Sequence, residues 1–164
     1  MPAAGTYAAL VSLARASATK SGKSDMADMY SGTCFCGAVE IEALRTGGDC
    51  HYHSCRHYSG APLVAFTLWR ADQVRVSRGA ELLGRFNKAG MSEQRFCTRC
   101  GGHVMIELAG FGFIDVYPDV LPGVAFQPSV HLNYAERVLP VRDGLPKLKD
   151  FPTEAGGSGE VVPE

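Results

Sequence analysis

The chain has 164 residues, 46% of them hydrophobic and 20% charged, the balance of a globular protein with a packed core rather than of a disordered one. Sixteen Lys and Arg face 17 Asp and Glu for a formal net charge of -1, so the basic surplus of a nucleic-acid-binding surface is missing. No run approaches the roughly 20 apolar residues of a membrane-spanning helix. Neither nucleic acid nor membrane is therefore an expected partner.

In chain order, residues 1–29 are rich in Ala and Ser, with a short helical pattern from Tyr7 to Ala16 and the stretch Ser21-Gly22-Lys23-Ser24, and read as a flexible leader. Its apolar residues Leu10, Val11 and Leu13 are interrupted by Ser12 and followed by Arg15, unlike a secretory signal. A cytoplasmic chain with reduced thiols is the expectation. Residues 30–151 read as one zinc-binding domain built from short strands. Val39 and Ile41 alternate with Glu40 and Glu42, and Val74 and Val76 with Arg75 and Ser77. Leu63 to Trp69 is apolar enough for a strand buried on both faces, with Trp69 in the core. Glu93–Phe96, His103–Leu108, Phe111–Tyr117 and Val130–Tyr134 come next as further strands, punctuated by Pro118, Pro122, Pro128 and Pro140. No segment sustains a helical period with caps, which predicts a mainly β, antiparallel fold. His131 reads as a satisfied structural histidine. Residues 152–164, with Gly156-Gly157-Ser158-Gly159, read as a disordered tail.

The six cysteines fall into three pairs: Cys34-x-Cys36, Cys50-x4-Cys55 and Cys97-x2-Cys100. In a reduced chain, thiols at such spacings are metal ligands more often than disulfide partners. Two thiolates a few residues apart reach one ion from a tight turn, and two such turns complete the tetrahedron of a structural zinc. Gly37 comes directly after Cys36, and Gly101-Gly102 after Cys100, where the backbone must fold under the sulfurs. The spacing assigns Cys34, Cys36, Cys97 and Cys100 to one closed Zn(2+) site.

The middle pair lies in Cys50-His51-Tyr52-His53-Ser54-Cys55-Arg56-His57. Two thiolates and one imidazole would make a three-ligand zinc with an open position, the arrangement of catalytic zinc. His53 is the first candidate for the third ligand and His51 the next; His57 lies beyond the pair. The competing reading makes Cys50 and Cys55 simple thiols in a solvated loop.

Tyr30-Ser31-Gly32-Thr33-Cys34-Phe35-Cys36-Gly37-Ala38-Val39 resembles the opening Gly-x-Cys-x-Cys-Gly-x-Val of the glutathione-dependent formaldehyde-activating enzyme family, which also includes centromere protein V. Cys55-Arg56-His57-Tyr58-Ser59-Gly60-Ala61-Pro62 is similar to its Cys-Arg-x-x-Ser-Gly-Ala-Pro, and Phe96-Cys97-Thr98-Arg99-Cys100-Gly101 to its Phe-Cys-x-x-Cys-Gly. His131-Leu132 and Asp143-Gly144-Leu145-Pro146 fit its closing segment. The resemblance implies a β-tent fold on two zinc sites: the four-cysteine site above, and a three-cysteine site that brings the thiol of glutathione to an aldehyde. The family's Cys-His-Cys-x-x-Cys is here Cys50-His51-Tyr52-His53-Ser54-Cys55, with Tyr52 in place of the middle cysteine. A phenol with a pKa of about 10 is a poor substitute for a soft thiolate at zinc.

The resemblance thus leads to an expected carbon–sulfur lyase-type activity on adducts of a small thiol such as glutathione with a small aldehyde. Zinc at Cys50, Cys55 and His53 would hold the thiol as thiolate. His51, His53 or Tyr52 would move the proton of the adduct hydroxyl, and Arg56 would pair with a substrate carboxylate. The alternative is a zinc-stabilised, non-catalytic binding module whose second site is degenerate.

Overall fold

The computed structural model describes residues 29–43, 47–88 and 90–164. The expected leader therefore lies outside the described residues, apart from Met29. The architecture is mainly β, as expected, with ten strands in open sheets and one α-helix among the described residues. The chain divides into two compact units. Among the described residues, one unit gathers 29–43 with Phe66–Phe126, and the other Gly47–Ala65 with Gln127–Glu164.

In the first unit, β1 (Tyr30–Thr33), β2 (Glu40–Ala43) and β5 (Arg75–Arg78) form an antiparallel sheet in the order β1-β2-β5. The alternation in β2 does what its period dictates: Ile41 and Ala43 are buried, while Glu40 and Glu42 stay half-exposed. Those two carboxylates pair with Arg78 and Arg75 of β5. The strands β4 (Val64–Arg70), β9 (Phe113–Val116), β8 (His103–Leu108), β7 (Glu93–Cys97) and β6 (Leu83–Phe86) lie side by side, antiparallel, in that order. Val104, Met105 and Ile106 are buried in succession, as are Ile114, Asp115 and Val116. Both faces of β8 and β9 are thus covered, which is why their sequences run apolar instead of alternating. Trp69 is 1% exposed, as expected of a core residue, and its indole N–H donates to Thr67 Oγ1 at 2.7 Å.

The second unit departs from the expected antiparallel pattern. Its strands β3 (Gly47–Cys50) and β10 (His131–Leu132) pair in parallel, with Asp49 opposite His131 and Cys50 opposite Leu132. The strand expected from Val130 to Tyr134 shortens to two residues, because Asn133 turns into the left-handed region (φ 54) and Tyr134–Glu136 form a 3-10 turn. The helix His53–Ser59 falls where the sequence shows no helical pattern. Two turns of helix are too short to display a 3.6-residue period. Residues 152–164 also differ from their expected disorder. Lys149 N–H donates to Glu160 O, Val162 N–H donates to Lys147 O, and Leu148 bridges Val161. The glycine-rich composition hides these backbone bonds, which need no side chains.

Candidate functional site

The first site grows out of two turns in the first unit. Cys34 closes a turn in which Gly37 N–H donates to Cys34 O at 2.9 Å, and Cys97 closes one in which Gly101 N–H donates to Cys97 O at 2.8 Å. Both glycines sit at φ 71, a conformation that costs side-chain-bearing residues dearly. The turns bring the ligand atoms of Cys34, Cys36, Cys97 and Cys100 all within 4.8 Å of one another. The Cys34 and Cys36 sulfurs are 3.7 Å apart, and those of Cys36 and Cys97 3.9 Å. Zinc–thiolate bonds of about 2.3 Å in a tetrahedron set sulfur–sulfur distances of about 3.8 Å, so this donor set fits a four-coordinate metal ion. Cys34 and Cys97 are buried, Cys100 is half-buried and Cys36 exposed. The cluster ties together distant parts of the unit, and four protein donors would fill a tetrahedral ion and leave no position on it for a substrate.

The second site lies in the other unit. Cys50 ends β3, and Cys55 sits on the helix His53–Ser59. Their sulfurs are 3.8 Å apart. The intervening turn is fastened from several sides. His51 N–H donates to Leu132 O at 2.9 Å and His53 N–H to Glu136 Oε2 at 2.6 Å. Arg56 donates from Nε to His51 O and from Nη2 to Glu136 O, each at 2.8 Å. The guanidinium expected to meet a substrate carboxylate therefore clamps the turn that carries the two thiols. The hydrogen bond with Cys55 holds the Cys50 thiol below its ordinary pKa against the opposing effect of burial, with Tyr52 N–H and the Asn133 side chain adding to it.

Cys50 and Cys55 are brought together, but the imidazole expected to complete a zinc site is not. His53 is exposed and its ring lies beside that of His57, tilted by 40° with centroids 5.7 Å apart. Tyr52 is 40% exposed. Among the described residues, the four-cysteine cluster is the one set of three or more Cys, His, Asp or Glu with ligand atoms within 4.8 Å of one another. Two thiols alone lack the third protein ligand of a catalytic zinc, so the donor set at Cys50 and Cys55 does not fit one.

His51 turns away into a buried polar row. Its Nε2 is 2.9 Å from His131 Nδ1, and His131 Nε2 is 2.8 Å from Asp143 Oδ2. Lys147 Nζ donates to the other Asp143 oxygen, to Leu145 O at 3.1 Å and to Glu164 Oε1 at 3.2 Å. Burial, with the nearby His131, Lys147, Arg56 and Arg137 adding to it, pushes the His51 pKa down to about 4. A neutral His51 thus belongs to the frame, and His131 is satisfied as expected. Asn133 and Glu136 escape the sequence reading. Asn133 carries one signal, since Asn tolerates a left-handed backbone better than most residues; Glu136 carries none.

Comparison with known proteins places these arrangements. The family model for the glutathione-dependent formaldehyde-activating enzyme matches residues 29–120, a span that contains all six cysteines. A curated protein of Schizosaccharomyces pombe, named an uncharacterized lyase, is 28% identical over 75 residues, 44% of this chain and 53% of that protein. The chain spans about half the length of that relative. A crystal structure of a Rhodobacter sphaeroides protein aligns with a TM-score of 0.50 and 29% identity, over 57% of this chain and 89% of its own. With more than half of its length under the family model and the motif cysteines of both sites inside that span, the chain belongs to the glutathione-dependent formaldehyde-activating enzyme family.

Proposed function

We propose that this protein is a carbon–sulfur lyase-type enzyme acting on the adduct of a small, glutathione-like thiol with a small aldehyde, with Cys50 and Cys55 as its reacting groups. Zinc held by Cys34, Cys36, Cys97 and Cys100 would supply fold stability and no chemistry. Family membership and the lyase name of the yeast relative support the reaction class. The observation that carries the site is the contact of a buried thiol of lowered pKa with a second thiol at 3.8 Å.

In the singly ionised state this pair holds one proton between two sulfurs. An adduct R–S–CH(OH)R′ placed beside it gives its hydroxyl proton to the Cys50 thiolate. The carbonyl forms, the carbon–sulfur bond breaks, and the electron pair leaves on sulfur. The Cys55 thiol protonates the departing thiolate, and the proton on Cys50 returns to Cys55 across their contact. The reverse sequence builds the adduct. Arg56 and Glu136 keep the two sulfurs at this spacing, and the buried row behind His51 keeps the turn rigid.

The test is exchange spectroscopy by NMR on the formaldehyde–glutathione adduct with reduced protein. Cys50→Ser should lower the catalysed exchange about 100-fold, the scale of a lost proton-transfer group. A variant that retains the wild-type rate contradicts the assignment. Tyr52, in the place of a thiol, favours the second reading of a non-catalytic binding module. That reading gives no exchange above the protein-free background with the wild type.

A further inference from the structure

The geometry points to a second activity of the Cys50–Cys55 pair: thiol–disulfide exchange with the disulfide of a low-molecular-weight thiol, ending in an internal Cys50–Cys55 disulfide. It uses the same two sulfurs as the lyase reaction but does not depend on any aldehyde chemistry.

Three observations carry it. The sulfurs are 3.8 Å apart. A disulfide requires about 2.05 Å, so closure needs an approach of about 1.8 Å, within the reach of side-chain rotation. No third Cys, His, Asp or Glu ligand atom joins them among the described residues, so the donor set that would sequester both thiols under a metal is incomplete. The two sulfurs also differ in access: Cys50 is 9% exposed, and Cys55, on the helix, is half-buried. That asymmetry gives them separate tasks, the accessible sulfur to meet a substrate and the buried one to resolve the product. The remaining four cysteines belong to the other unit.

In the first step Cys55 passes its proton to the Cys50 thiolate and attacks one sulfur of RS–SR; the substrate S–S bond breaks, a mixed disulfide forms on Cys55, and RS⁻ leaves. The Cys50 thiolate then attacks the Cys55 sulfur. The mixed disulfide breaks, the internal bond forms, and a second RS⁻ leaves with the proton of Cys50. The substrate disulfide gains two electrons, and the protein dithiol loses them.

The test uses the full, metal-loaded chain, reduced and then exposed to glutathione disulfide over a series of glutathione ratios, with alkylation and peptide mapping at each ratio. The expected product lacks the two thiol hydrogens, carries a Cys50–Cys55 link, and appears with two glutathiones per chain. Cys50→Ser should stop at the mixed disulfide on Cys55, which separates a resolving role from mere oxidation. Should Cys50→Ser fail to fold, Cys55→Ser must instead lose glutathione release. Wild type that stays reduced in excess disulfide, or that stops at the mixed disulfide, overturns the inference. Adduct exchange measured on the same reduced sample shows separately whether the lyase reading stands.

Discussion

Asp143 links a buried lysine and a buried histidine to solvent. Its carboxylate is 32% exposed, whereas Lys147 and His131 are each 1% exposed. Burial opposes ionisation, but hydrogen bonds from Lys147 and His131 hold the carboxyl far below the usual carboxylate range. A depressed carboxylate contributes stability that is full above its unfolded value of about 4 and is lost as pH falls below it. Urea melts should therefore show stability declining in acid below about pH 4, with a smaller decline in Asp143→Asn. At neutral pH that variant leaves the buried ammonium with Glu164 as its one ion-pair partner among the described residues and should cost about 2 kcal/mol, allowing for the partial exposure of the carboxylate. Identical pH profiles for variant and wild type would remove Asp143 from this role. Gly32 poses a different constraint: a Cβ there would lie 1.7 Å from Val120 O. No rotamer relieves a clash with backbone, so Gly32→Ala should lose about 3 kcal/mol or more in a thermal melt. An unchanged melting temperature would contradict the packing. Gly32 belongs to the Gly-x-Cys-x-Cys motif, so its importance is visible in the sequence. The Asp143–Lys147 partnership is not, because nothing in an i,i+4 pair outside a helix announces that the lysine is buried.

At the scale of elements, legibility depends on period and length. The alternating β2 and the apolar β8 and β9 can be read because burial on one or both faces leaves a pattern. The helix His53–Ser59 and the parallel β3–β10 pair cannot. They are held by Arg56 and Glu136 and by bonds between strands of two to four residues, and contacts between distant residues write no local period. The thiol pair itself is legible from Cys50-x4-Cys55, but the outward placement of His53 depends on the helix phase, which spacing alone does not give. The clamp carries its own prediction. Arg56→Ala removes two charge-assisted hydrogen bonds to carbonyls that fix the turn. It should cost about 1 to 2 kcal/mol in denaturant melts and speed alkylation of Cys55. If Arg56 instead met substrate alone, stability and alkylation would stay as in the wild type while the KM for the adduct rose.

For the whole molecule, the division of labour between the two cysteine sets is the main conclusion. Four cysteines whose ligand atoms lie within 4.8 Å of one another belong to one unit, and the Cys50–Cys55 pair, to which the proposed chemistry is assigned, belongs to the other. The motifs make the first set readable and leave the second ambiguous, since a Tyr at position 52 says only that a thiol is missing and not what replaces it. The structure ties His51 to His131 and sets the His53 ring beside that of His57. The most direct measurement is the metal content per chain of the wild type and of the Cys50→Ser/Cys55→Ser double variant. About one tightly held zinc is expected in both, with loss of folded structure when chelators remove it. About two zincs in the wild type, falling to one in a folded double variant, would contradict this division and return the middle pair to metal chemistry.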